Sequence, residues 1–212
     1  MAHDFALMLA VHDAVRRDLI RFVTLLGGTA PVGLERAAAL GSQWELVVDR
    51  VGEHERIEDA VLWPAAREVV PVGDQEPLDR ASRQHAQLTV VLQVVSARFA
   101  TGAVARGGVH RADLADAIEG AAVMADAHFA FEERNVLPLL EAWLPAEQWE
   151  RFVSALRDPA GPLRDPVALP WLLEGSRPDR VATVLGLLGP EHQVAYEQAW
   201  KPAHRARVDQ LW

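Results

Sequence analysis

The sequence predicts an all-α protein: an antiparallel up-and-down four-helix bundle followed by a C-terminal helical extension. Three observations carry this reading. Apolar residues recur at spacings of three and four with little strand-like alternation. Glycine and proline clusters divide the first two thirds of the chain into four long amphipathic segments. Beyond Pro145 the segments become shorter and proline breaks more frequent, which separates a bundle over residues 1–142 from an extension over 143–212 packed on it.

The first helix is expected from about Asp4 to Leu26, with Met8, Val11, Val15, Leu19 and Val23 on one stripe and Gly27-Gly28 as its stop. The second begins near Gly33 and carries Trp44, Val47, Val51 and Leu62 towards Pro64, where it should end or kink. Pro77 suits the first turn of a third helix that runs to about Phe99 with Leu88, Leu92 and Val95 inward. A Gly-rich turn over 102–108 leads into a fourth helix from about Arg111 to Leu137, with Pro138 as stop or kink. At about 1.5 Å per residue such helices are rods of roughly 30 to 45 Å, and short connections favour antiparallel neighbours. The extension should hold a short helix opened by Pro145, a Pro-rich loop over 158–170, and two further helices over about 179–188 and 191–212. Five of the seven tryptophans, Trp143, Trp149, Trp171, Trp200 and Trp212, lie in it.

Composition removes several classes of function. With no cysteine among 212 residues there is no disulfide framework, zinc ribbon, iron–sulfur cluster or thiol nucleophile, so any metal must sit on imidazole and carboxylate. A net charge of −9 and the absence of a basic run make nucleic acid a poor partner. The first residues lack a basic region followed by an apolar run, and no stretch reaches membrane-spanning length, which points to a cytoplasmic protein with no membrane partner.

The eight histidines are unevenly placed. His12, His54, His85 and His128 fall one on each long helix, in register with its apolar stripe. In the second helix Val47, Val51, His54, Glu58 and Leu62 are spaced by four, three, four and four; in the fourth, Ala121, Met124, His128, Glu132 and Val136 repeat the pattern. A carboxylate on a core stripe is costly unless it is paired or binds a cation. Two such glutamates with imidazoles arriving from four helices fit a binuclear metal centre, in which carboxylates screen the repulsion between the cations. The donor set suits iron, manganese or zinc. His3, His110, His192 and His204 are expected at the surface or in caps, and Tyr196 is expected to pack or to form an interface.

These residues resemble the hemerythrin-like, or HHE cation-binding, family over about residues 3–140. The resemblance rests on His12, on His54-Glu55-Arg56-Ile57-Glu58, on His85 and on His128-Phe129-Ala130-Phe131-Glu132. It implies a four-helix bundle holding two iron ions as an oxo- or hydroxo-bridged di-iron site. The metal residues implied are His12, His54, His85 and His128 as terminal ligands and Glu58 and Glu132 as bridges. Oxygen-carrying members place a second histidine one turn along the third helix; here Thr89 stands at that spacing, which argues against simple reversible oxygen carriage. The His-Glu-x-x-Glu run resembles iron-sensing members in which Glu55 would also ligate; the alternative is a solvated carboxylate, as for Glu133 and Asp13. Arg16 is either a partner of the metal carboxylates or a surface arginine.

The function implied is binding of, or reaction with, a small oxidant: dioxygen, nitric oxide or hydrogen peroxide. Catalase-like or oxidase activity, with a role in oxidative stress, is the catalytic form of that reading. The alternative is an iron- or oxygen-responsive regulatory module that signals to a protein partner through the Trp-rich C-terminal helices.

Overall fold

The computed structural model describes residues 3–156 and 162–212, and every described element is helical. Helix α1 spans Ala6–Gly27. Helix α2 runs over Leu34–Ile57 and continues, through a wide turn at Glu58–Leu62, into Trp63–Val69. Helix α3 is Glu76–Ala100. Helix α4 is Gly108–Phe131, continued through a second wide turn at Glu132–Val136 into Leu137–Trp143. Each of these rods packs on the next, and α1 closes on α4.

Of the two outcomes expected at Pro64 and Pro138, a stop or a kink, the stop does not occur: each helix continues past its proline through a locally widened turn. A proline ring clashes with the carbonyl four residues back and offers no N–H. Here the preceding turn is π-helical: the Trp63 N–H donates to the Glu58 carbonyl and the Leu137 N–H to the Glu132 carbonyl, five residues back. The wider turn absorbs the ring, so the rod continues. The same arrangement recurs at Tyr196–Trp200, where the Lys201 N–H donates to the Tyr196 carbonyl just before Pro202.

The apolar stripes meet in one core. Its best-filled end joins Phe22 edge-on to Trp44, with Trp44 stacked on Phe99 at 5.3 Å. The Trp44 indole N–H donates to Ser96 Oγ at 2.8 Å, so its burial leaves no orphan donor. Fully burying side chains of this size contributes about 1.5–3 kcal/mol each. Gly107, at φ +63°, makes the left-handed bend that lets α4 start three residues earlier than the sequence suggests.

The remaining helices are α5 (Ala146–Leu156), α6 (Ala168–Leu173), α7 (Pro178–Gly186) and α8 (Pro190–Ala195, continued by Lys201–Leu211). Helices α6 and α7 lie on α1, and α8 lies on α2. The expected loop over 158–170 is interrupted by α6, and its residues 158–161 lie outside the described residues. His204, expected at the surface, is buried: its Nε2 donates to Glu174 at 3.0 Å while Arg207 donates to its Nδ1 at 2.8 Å. His3 is also engaged, against the Leu144 carbonyl at 2.8 Å. Tyr196 is packed, as expected. Among the described residues no helix is long and apolar enough to cross a membrane.

Candidate metal centre

The inward stripes of α1 to α4 deliver their polar residues to one level of the bundle. His12, Glu58, His85, His128 and Glu132 are buried and His54 nearly so. Two groups able to hold a metal ion result: His12, His54 and Glu132 form one, and His85, His128 and Glu132 the other. Glu132 belongs to both. Its Oε2 lies 3.3 Å from His12 Nε2, and its Oε1 lies 3.3 Å from His85 Nε2 and 3.4 Å from His128 Nε2. Glu58 also reaches both groups, Oε1 lying 3.3 Å from His54 Nε2 and Oε2 3.4 Å from His85 Nε2.

Glu55 stands beside these groups. It is 4% exposed, so the solvated alternative does not hold. Thr89, at the position where oxygen carriers have a histidine, donates to Glu55 Oε2 at 3.3 Å, and Glu55 Oε1 has no hydrogen-bond partner.

The outer nitrogens of three imidazoles are held by the protein. His12 Nδ1 donates to Glu133 Oε1 at 2.9 Å, His85 Nδ1 to Asp59 Oδ2 at 2.9 Å and His128 Nδ1 to Gln84 Oε1 at 3.3 Å. Each bond fixes the ring and turns Nε2 towards the centre, which is how ligand histidines are oriented in metal sites. Arg16 holds Glu133 in turn, at 2.7 Å, and Ser82 holds Asp59 at 2.6 Å. Arg16 therefore acts one step out, through Glu133, not on the central carboxylates.

Glu133, expected as a solvated carboxylate, is instead engaged by His12 and Arg16, and Asp59 was not singled out by sequence. Each directly follows an inward glutamate, about 100° further round an ideal helix. The wide turn that begins at that glutamate rotates the chain less per residue, and the acidic neighbour reaches an imidazole on an adjoining helix. The signal lay in a repeated pattern: His54-x3-Glu58-Asp59-x4-Pro64 and His128-x3-Glu132-Glu133-x4-Pro138.

Burial and neighbouring charge set the protonation of these groups. Burial, together with the charge of Glu132 and Glu55, pushes Glu58 well above the ordinary carboxylate range. Burial likewise lifts Glu55 to about 7. Burial alone would lower His85, but hydrogen bonds to Glu132 and Asp59 override it and raise it to about 9. Burial dominates at His54, which falls well below its usual value, and at His128, which falls to about 4. Protons thus do what cations would do, and no lysine or arginine contacts the central carboxylates among the described residues. His12 and His54 face each other Nε2 to Nε2 at 3.1 Å. Both Glu58 oxygens, Glu132 Oε2 and His128 Nε2 are buried without hydrogen bonds. Converging lone pairs and carboxylates whose countercharge is only titratable imidazole, with no lysine or arginine, are a site that fits metal ions.

Comparison with curated proteins and with solved structures finds no match. Comparison with protein families matches residues 3–140 to the Hemerythrin HHE cation binding domain. That span contains the first three rods, the fourth up to its last turn and every side chain of the centre, and the chain belongs to the hemerythrin HHE cation-binding family.

Proposed function

We propose that this protein is a non-haem di-iron protein that binds or reacts with a small oxidant. The observation that carries the reading is the pair of carboxylates, Glu58 and Glu132, that each span the two histidine groups. His12 and His54 would hold one ion, His85 and His128 the other, with Glu58 and Glu132 shared and Glu55 a further donor beside them. Bound iron would supply one-electron redox chemistry towards dioxygen, nitric oxide or peroxide. Manganese and zinc suit the same ligands.

The chain's own contribution is positional and protective. Asp59, Gln84 and Glu133 orient three imidazoles. Burial excludes bulk water and favours a proton on Glu58, while hydrogen bonds to Glu132 and Asp59 favour one on His85; bound metal would displace both. Residues 1–142 would form the di-iron unit and 143–212 a helical appendage to it, in a cytoplasmic protein.

Metal analysis with an absorption spectrum tests this. Protein grown with ample iron should hold about two irons per chain, as a carboxylate-bridged pair requires, and show near-ultraviolet charge-transfer absorption. Well under one iron per chain and no such band would overturn it. Peroxide consumption by that sample decides the catalase-like form; an inert sample leaves ligand binding alone.

A regulatory reading has one observation in its favour. Arg180 of α7 pairs with Asp13, Asp13 lies 3.8 Å from Arg16, and Arg16 holds Glu133, the partner of His12. Proteolysis of α7 and α8 that differs between iron-loaded and iron-free protein would support it, and identical patterns would count against it.

A further inference from the structure

Away from the centre, a cleft of about 670 Å³ opens between α6, α7 and α8. It exists because α7 packs on α1 while α8 packs on α2, which leaves the facing sides of these two helices apart. Space of this size accommodates a small organic molecule. We propose that the cleft binds a small organic carboxylate with an apolar body, its carboxylate held by Arg205 and Lys201. The proposal does not depend on the di-iron reading.

The apolar half of the site comes from three helices. Leu173 of α6, Val181 and Leu185 of α7 and Val208 of α8 line the cleft, and the last three are only partly buried by the protein itself. Hydrocarbon is therefore left for a ligand to cover. The polar half begins with Tyr196, which also lines the cleft, is 3% exposed, and has no hydrogen-bond partner for its hydroxyl among the described residues. Burial pushes this phenol up to about 12, so it stays a donor in want of an acceptor. Lys201 Nζ stands 5.7 Å from the Tyr196 ring, and Arg205 follows one helical turn later on the same face.

The pairing of the other ionisable groups along the cleft sets the sign of the ligand. Glu174 is already neutralised by Arg21 at 2.7 Å and Arg17 at 3.4 Å, neither of which is part of the lining. His204 is engaged at both nitrogens, by Glu174 and Arg207. Lys201 has Glu197 at 2.9 Å, but both side chains are half exposed and such a pair exchanges readily for a better-buried anion. Arg205 has no ion pair among the described residues, and neither has Asp209. Asp209 lies a further turn along α8 and two turns from Lys201, so the Lys201–Arg205 end of the cleft is the cationic one. A carboxylate at that end gains two cations and the Tyr196 hydroxyl as charge-assisted donors. A cationic ligand would meet Asp209 alone against two positive charges.

Calorimetric titration of the full-length protein with 4-phenylbutyrate tests this, with 4-phenylbutanamide as the uncharged counterpart. One equivalent of the acid should bind per chain, and the amide should bind at least tenfold more weakly. Arg205→Gln, at an exposed position where folding is not at stake, should weaken binding of the acid at least tenfold and leave metal content unchanged. Tyr196→Phe should weaken it severalfold. Leu185→Trp, which fills the space, should abolish binding of both compounds. No binding of the acid at millimolar concentration, or equal binding of acid and amide, would overturn the proposal. Binding of the acid that survives both Arg205→Gln and Leu185→Trp would also overturn it, because the carboxylate would then sit elsewhere on the protein.

Discussion

The protein buries two clusters of charge, and they are built on opposite principles. Around Asp18 and Glu174, where the C-terminal helices meet α1, the carboxylates are answered in full. Asp18 accepts from Gln43, Trp171, Arg17 and Arg21, and Glu174 accepts from Arg21, His204 and, across 3.4 Å, pairs with Arg17. Around Glu58 and Glu132, in the bundle, no arginine or lysine touches the inward carboxylates among the described residues, and four polar atoms of the centre lack hydrogen bonds. The first cluster is complete as protein and works as a clasp. The second is complete only with a cation from outside, which is why burial there marks a metal site and burial at Asp18 marks a joint.

Substitution at each cluster should separate the two roles, and the largest effect is expected at the shared glutamate. Glu132→Gln should remove bound iron almost entirely, because both histidine groups use that side chain. Metal-free unfolding in urea should change less than with Asp18→Ala, because His12 and His85 can shed their protons, His85 keeps Asp59, and no guanidinium is stranded. A variant that keeps its iron would break the assignment. Asp18→Ala should do the reverse. It leaves the Trp171 and Gln43 donors and two guanidinium groups without their acceptor, at a cost of about 3–5 kcal/mol in urea unfolding, with iron per folded chain unchanged.

Smaller effects refine the contrast. Glu133→Gln and Asp59→Asn should each weaken metal affinity by about 10–100-fold, measured by competition with a chelator, through looser orientation of His12 and His85. Unchanged affinity would show that the rings are held by packing alone. The smallest effect expected is on the pH dependence of the clasp. Burial opposes ionisation of Glu174, but hydrogen bonds from His204 and Arg21 prevail and hold its carboxyl well below the usual range. A depressed folded value gives stability that is fully present above the unfolded value of about 4.3 and is lost as pH falls towards the folded one. Proteolysis of α6 to α8 should therefore be flat from pH 7 to about 5 and accelerate below about 4.

Much of the centre was legible because a helix repeats every 3.6 residues. His54 and Glu58, or His128 and Glu132, must share a face if their segments are helical, and the apolar residues around them say which face is inward. Glu133 and Asp59 were not legible, since a residue next to an inward position faces elsewhere on an ideal helix, and only the wide turns forced by Pro64 and Pro138 bring them to bear. His204 was misread for another reason. Nothing in the local pattern of α8 says that it will lie against Glu174, 30 residues earlier in the chain.

The sequence by itself determined the helical class, the four rods and the six side chains that meet at the centre, because periodicity and the chemistry of imidazole and carboxylate are local properties. Tertiary structure decided the rest: the orienting carboxylates, the clasp at Asp18 and the cleft between α7 and α8. These depend on which helix lies against which, and that is settled by packing between segments far apart in the chain.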